Sequence, residues 1–195
     1  MTNKIIGIQG DKLDKINISS DTSIFLAHEA QKLGYKIFYY TPSNLSIIKN
    51  KTYANGVFVK FNYERKKFYK IYKKQKIDVE NLKFILIRQD PPFNSEYLIT
   101  TLILDGLKKV KVINNPTGIR NVSEKLYSKY FIKFMPNTLF SNNIEEIKKF
   151  YKQNKSMIMK PINGYGGNQI HLIKNKFDKK PVSYTHLTLP TSDLV

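Results

Sequence analysis

Lys160 and Pro161 close the apolar run MIM, and Gly164, Gly166 and Gly167 follow within seven residues of that lysine. Glycine permits positive φ and close backbone approach, so amide N–H groups of such a loop can face phosphate oxygens. Lysine adds a compact positive charge beside them. The same residues also suit an ordinary hairpin turn between MIMK and QIHLI, and both readings stand on local pattern. A second constellation is RQDPPF, directly after FILI. Two prolines force a rigid, extended exit from that run. Arg88 there suits a bidentate grip on a carboxylate, or, with Asp90, a structural ion pair at the loop.

Composition narrows the remaining chemistry. The chain has no cysteine and three scattered histidines, which leaves no disulfide framework, no thiolate metal site and no histidine cluster. Its formal charge of +18 invites a polyanion partner. Yet only Arg65, Arg88 and Arg120 are arginine, and groove and phosphate readers lean on the arginine fork. Lysine, asparagine and isoleucine fill 72 of the first 181 positions, a bias that loads every solvated surface with lysine. The densest basic run, Glu64 to Lys76, carries Phe68, Ile71 and Tyr72 at helical spacing, which predicts an amphipathic helix with a solvated basic face. No nucleic-acid partner is expected. The opening residues carry only a four-residue apolar stretch before charge returns, so neither a signal peptide nor a membrane span is expected there, and the location expected is cytoplasmic.

The elements that must position these residues alternate. Lys4 to Ile8 predicts a strand, and Asp21 to Leu33 a helix with Asp21 as N-cap and Gly34 as its stop. Tyr35 to Tyr40 predicts a second strand, and LSIIKNKTYANGVFVKFN a hairpin turning at Asn55-Gly56. Phe84 to Arg88 reads as a buried parallel strand, Ser95 to Leu107 as a helix and Val110 to Asn114 as another strand. The fold class is therefore α/β, with its ligand beyond the carboxyl ends of the strands. The last fourteen residues, VSYTHLTLPTSDLV, contain no lysine, asparagine or isoleucine. That break marks 182–195 as a non-native tail, expected to pack on nothing and to take no regular structure.

RQDPPFNSEYLITTLIL, INNPTGIRNVSEKLY and MIMKPINGYGGNQI, in that order, resemble the prokaryotic glutathione synthetases of the ATP-grasp ligases, as does GDKLDKINISSDTSIFLAHEAQKLGYKIFYY. The resemblance implies an N-terminal parallel-sheet (pre-ATP-grasp) substrate domain over 1–122 and the start of an ATP-grasp domain over 123–181, incomplete and by itself inactive. It implies an ATP-dependent carbon–nitrogen ligase, in which γ-glutamylcysteine and glycine join through an acyl phosphate to give glutathione, ADP and phosphate. Lys125 and Lys160 would contact the nucleotide, with Gly164, Gly166 and Gly167 covering the phosphates. Lys160, Gly166 and Gly167 would serve the transfer itself. Asn17, Asp21, Ser23 and Arg88 would line the dipeptide side. Mg2+ is implied with ATP, its ligands in the absent C-terminal part, so no metal residue is named. A homo-oligomer is implied for the full-length enzyme. Two positions depart from the family's pattern: Lys12 replaces the proline after Asp11, and Gln89 replaces a lysine. Two other readings remain, another ATP-grasp carboxylate–amine ligase and a non-enzymatic basic binding module.

Overall fold

Isoleucines at 5, 6 and 8 and the aliphatic–aromatic run after Lys36 supply two strands with side chains buried on both faces, as parallel central strands require. In the computed structural model these are β1 (Ile5–Gln9) and β2 (Lys36–Tyr40), paired in parallel. The structure describes residues 4–62 and 67–174, and the backbone of 187–190. The chain forms two units, residues 1–90 with 95–120, and residues 91–94 with 121–195.

The first unit is built on a seven-stranded sheet in the order β3-β4-β2-β1-β6-β7, with β5 on the other side of β4. Its remaining strands are β3 (Leu45–Ile48), β4 (Lys51–Phe61), β5 (Tyr69–Asp78), β6 (Phe84–Ile87) and β7 (Lys111–Ile113). Both neighbours of β6, β1 and β7, run parallel to it. Helices α1 (Thr22–Lys32), α2 (Ser95–Asp105) and α3 (Pro116–Asn121) complete the α/β pattern. Alternation along β2 divides the core. Phe38 and Tyr40 pack with Leu82, Ile85, Ile87 and Leu104, whereas Ile37 and Tyr39 pack with Ile6, Ile8, Ile24 and Ala27. Helix α1 starts where the N-cap pattern placed it. Asp21 accepts from the amides of Ser23 and Ile24, and Gly34 leaves the helix at φ +82°.

Two expected elements differ. The hairpin exists, but it turns at Lys49 and Asn50, with φ of 48° and 62°, between β3 and β4. Asn55-Gly56 lies inside β4, where a Cβ on residue 56 would sit 2.6 Å from the Phe38 ring and from the Tyr39 carbonyl oxygen. That glycine answers a close approach, not a turn. The basic run is also not helical where it is described. Residues 69–78 form β5, an edge strand pairing with β4 through a bulge at Phe58/Val59; residues 63–66 lie outside the described residues. Pairing along β4 outweighed the helical spacing of Phe68, Ile71 and Tyr72.

The second unit holds β8 (Thr138–Ser141), α4 (Ile144–Asn154), β9 (Ser156–Pro161), β10 (His171–Lys174) and β11 (Leu187–Pro190). Asn143 caps α4 by accepting from Glu145 and Glu146 amides. Ile147, Met157, Met159 and Ile173 form its core. The sheet order is β10-β9-β11-β8. Residues 187–190 thus take regular structure, against the expectation of a tail without any. Their backbone pairs antiparallel with β8 and β9, and such pairing asks little of side-chain identity. No helix among the described residues is long and apolar enough to cross a membrane.

Candidate functional site

In the first unit the chemistry gathers at the carboxyl ends of β1 and β6. Arg88 is the first residue beyond β6, and its amide donates to the Gln9 carbonyl at 2.7 Å. Its guanidinium turns toward the start of α1. Nε donates to Ser23 Oγ at 2.9 Å and Nη2 to Thr22 Oγ1 at 2.7 Å. Hydroxyls therefore hold Arg88 where an ion pair with Asp90 was the alternative. They engage two of the guanidinium's five donors.

Asp21 caps the same helix, its Oδ1 accepting from the Ser23 amide at 2.6 Å. Asn17 lies one turn earlier. Its Oδ1 accepts from Ser19 N at 3.1 Å and Ser19 Oγ at 2.7 Å, and its carbonyl accepts from the amides of Ser20 and Asp21. Of the four residues expected on the dipeptide side, Ser23 and Arg88 are in direct contact, Asp21 sets the helix that carries Ser23, and Asn17 shapes the turn leading to Asp21.

Acids surround this arginine. Asp11 Oδ2 accepts from the Asp90 amide at 2.9 Å, and the Tyr39 hydroxyl donates to the Asp11 carbonyl at 2.6 Å. Burial, with repulsion from Asp11 and Asp21, pushes the Asp90 carboxyl above its usual range, while Arg88 pulls it back. Burial, then the same carboxylates, pushes the Tyr39 phenol up as well. The arrangement combines one guanidinium with three carboxyl groups, so it can receive a group carrying both a carboxylate and an ammonium. Thr22 and Tyr39 escaped the sequence reading, which noted Asp11 only as the acid before Lys12. Thr22 was detectable as a second hydroxyl after the N-cap, but Asp11 and Tyr39 meet only through the sheet.

In the second unit a cleft of about 360 Å³ is lined by Glu124, Lys125, Lys160, Gly164, Gly166 and Gly167. Lys160 is carried by β9, beyond the buried Met157, Ile158 and Met159. The Lys125 ammonium donates to the Gly164 carbonyl and lies 3.2 Å from Glu124 Oε1. Its side chain is 16% exposed against 68% for Glu124, so the positive end is the better held.

The loop between β9 and β10 starts with the Gly164 amide donating to the Pro161 carbonyl at 3.1 Å. A Cβ on Gly164 would collide with the Pro161 ring. Gly166 and Gly167 sit at φ +59° and +74° with open space around them, so backbone conformation alone calls for glycine there. The hairpin reading holds, because β9 and β10 form an antiparallel pair, and the same connection lines the cleft. Met135, Phe140 and Ile170 add an apolar wall. Among the described residues no group of three His, Asp or Glu side chains is gathered to hold a metal ion. Among the described lining residues the one carboxylate, Glu124, is taken up by Lys125, so these residues do not fit a Mg2+ site.

The family model for the prokaryotic glutathione synthetase N-terminal domain matches residues 5–120, and that for the prokaryotic glutathione synthetase ATP-grasp domain matches 124–188. The glutathione synthetase of Buchnera aphidicola subsp. Acyrthosiphon pisum is 35% identical over 171 residues, 87% of this chain and 53% of that protein. That of Mesorhizobium japonicum is 36% identical over 163 residues, 83% of this chain and 52% of that protein. The chain spans about half the length of the curated relatives it matches. Among solved structures, D-cycloserine synthetase DcsG superposes with a TM-score of 0.62 at 11% identity, covering 95% of this chain and 58% of that one. D-alanyl-alanine synthetase A from Vibrio cholerae superposes at 0.56 and 12% identity, covering 96% of this chain and 59% of that one. At such identities the superpositions show the fold alone.

Proposed function

Since the chain belongs to the prokaryotic glutathione synthetase family, we propose that it carries the dipeptide-binding part and the first phosphate-binding part of an ATP-dependent ligase joining γ-glutamylcysteine to glycine. The observation that carries this reading is the cleft of the second unit, where two lysines and a glycine loop meet. Phosphate oxygens would take the charge of Lys125 and Lys160, and the amides around Gly166 and Gly167 would supply further donors. Met135, Phe140 and Ile170 would lie against the base.

In the first unit Arg88 would hold a carboxylate of the dipeptide, oriented by Thr22 and Ser23. Asp11 and Asp90 would favour its ammonium. The reaction places little covalent work on the protein. A carboxylate oxygen of γ-glutamylcysteine attacks the γ-phosphorus and ADP departs; the glycine amine then attacks the acyl carbon, losing a proton as phosphate leaves. What the side chains contribute is position and charge neutralisation. Mg2+, which the family resemblance implies, finds no ligand set among the described residues, and no step is assigned to it. The superpositions on other ATP-grasp ligases support a different carboxylate–amine ligase only at the level of fold.

Equilibrium titration of the purified chain with ATP tests the reading. Saturable binding is expected, weakened about tenfold or more by Lys160→Ala, because a charge-assisted hydrogen bond contributes about 1.5–3 kcal/mol. Binding indifferent to both Lys160→Ala and Lys125→Ala would sink the phosphate assignment. A chain that binds ATP but takes up D-alanine in preference to γ-glutamylcysteine would overturn the substrate alone.

A further inference from the structure

Residues 88, 89 and 90 are each tied to the exit of β1, and by three different means. The Arg88 amide donates to the Gln9 carbonyl at 2.7 Å, and the Asp90 amide donates to Asp11 Oδ2 at 2.9 Å. Between them, the Gln9 side-chain amide donates to Gln89 Oε1 in a buried side-chain pair. Gln9 is 0% exposed and Gln89 9%, so this bond forms in the core, where an amide without its partner is costly. The pair is not fully satisfied. Gln9 Oε1 is buried with no donor, and its register neighbour Tyr40 also has a hydroxyl that is buried and unpaired. A strand end in an α/β sheet has no packing need for two glutamines; aliphatic residues would fill the same volume without desolvated amides.

We infer that Gln9 and Gln89 are positioning residues: their buried bond fixes the backbone on which Arg88 stands and so aims its guanidinium between Thr22 and Ser23 for the incoming carboxylate. This rests on the dipeptide reading for its ligand, though not for its geometry. Strand alternation supports the division of labour, with Gln89 turned into the core while Arg88 turns to α1. The unused Gln9 Oε1 adds a consequence. A lysine at position 89, the type the family resemblance expects there, would donate to that oxygen once the Gln9 amide turns over to face it, so Gln89→Lys should keep the arginine in place.

The test uses the whole chain labelled with ¹⁵N, with the Arg88 Nε–H resonance assigned by its loss in Arg88→Lys. Gln89→Leu should speed solvent exchange of that proton at least fivefold and lower the thermal midpoint. The double variant Gln9→Leu/Gln89→Leu should recover the midpoint, since both partners are then apolar, while Arg88 Nε–H exchange stays fast. Gln89→Lys should keep exchange slow. If the double variant restores slow exchange together with the midpoint, or if Gln89→Leu leaves exchange unchanged, the pair only fills the core and the inference is overturned. Calorimetry with γ-glutamylcysteine separates the two claims. Should exchange follow the expected pattern while the unsubstituted chain fails to bind the dipeptide, positioning stands and the substrate reading falls.

Discussion

Asp90 condenses the electrostatics of the first unit into one titration. Its carboxyl lies above the ordinary aspartate range because burial, then Asp11 and Asp21, disfavour its charge. A carboxyl that holds its proton more tightly in the native state than in the unfolded one makes stability fall as pH rises through and just above that range. Asp90→Asn removes the penalty. The thermal midpoint of this variant should match that of the unsubstituted chain at low pH, exceed it as pH rises through the carboxyl's titration, and keep that gap to neutrality. A gap that shrinks as pH rises would contradict this sign. Asp105 titrates the opposite way, held low by hydrogen bonds from Arg120 and Thr117, but it is common to both proteins and cancels. Much at this scale was legible in the sequence, most of it through the family resemblance. Arg88, Ser23 and Asp21 stand near one another at the carboxyl end of the sheet, and Lys125, Lys160 and the three glycines line one cleft. The contacts of Asp11 with Tyr39 and Asp90, and the pairing of Gln9 with Gln89, were not legible. The two glutamines are 80 residues apart, and only the parallel pairing of β1 with β6 makes them neighbours.

At the scale of elements, burial separates what the sequence revealed from what it concealed. β1, β2 and β6 are apolar because both faces are covered, and the N-cap at Asp21 is a local signal needing no tertiary context. β5 has neither advantage. All its residues from Lys70 to Lys76 are exposed, so no alternation of burial imprinted itself on the run, and tyrosine and isoleucine among lysines fit a helix as well as a strand. Asn-Gly misled for a related reason. It is a strong turn signal only where the backbone needs positive φ, and at 56 the need was for room beside Phe38. Two substitutions check this. Gly56→Ala, placing a methyl against the Phe38 ring, should cost about 1–3 kcal/mol as overpacking does, visible as a lower denaturant midpoint. The double change Lys49→Asn/Asn50→Gly, at the two turn residues that do hold positive φ, should stabilise by about 0.5–1 kcal/mol or leave the midpoint level. A larger loss at the Lys49–Asn50 turn than at Gly56 would return the turn to Asn55-Gly56.

For the molecule as a whole, the two units have cores of very different size. Among the described residues the first buries ten in one cluster and eight in another, on the two faces of its sheet; the second has a cluster of four, Ile147, Met157, Met159 and Ile173. Apolar burial drives folding roughly in proportion to the area removed from water, so opening free energy should follow the same order. The second unit also exposes a run of large apolar side chains, from Tyr130 at 68% to Phe134 at 76%, along residues 126–134. These add surface without adding core. Native-state hydrogen exchange should therefore protect the amides of Ile85–Ile87 in β6 by at least tenfold more than those of Met157–Met159 in β9, although both triplets are central to their sheets. Equal protection would mean that the second unit draws stability from more than its four-residue core. The cleft lysines belong to that weaker unit, with Lys160 directly following the β9 triplet. ATP bound there would favour the closed state by mass action, so the same exchange experiment at saturating ATP should slow β9 and leave β6 unchanged. Such selective slowing would tie the marginal core of the second unit to nucleotide binding in its cleft; slowing of β6 alone would move the nucleotide to the other unit.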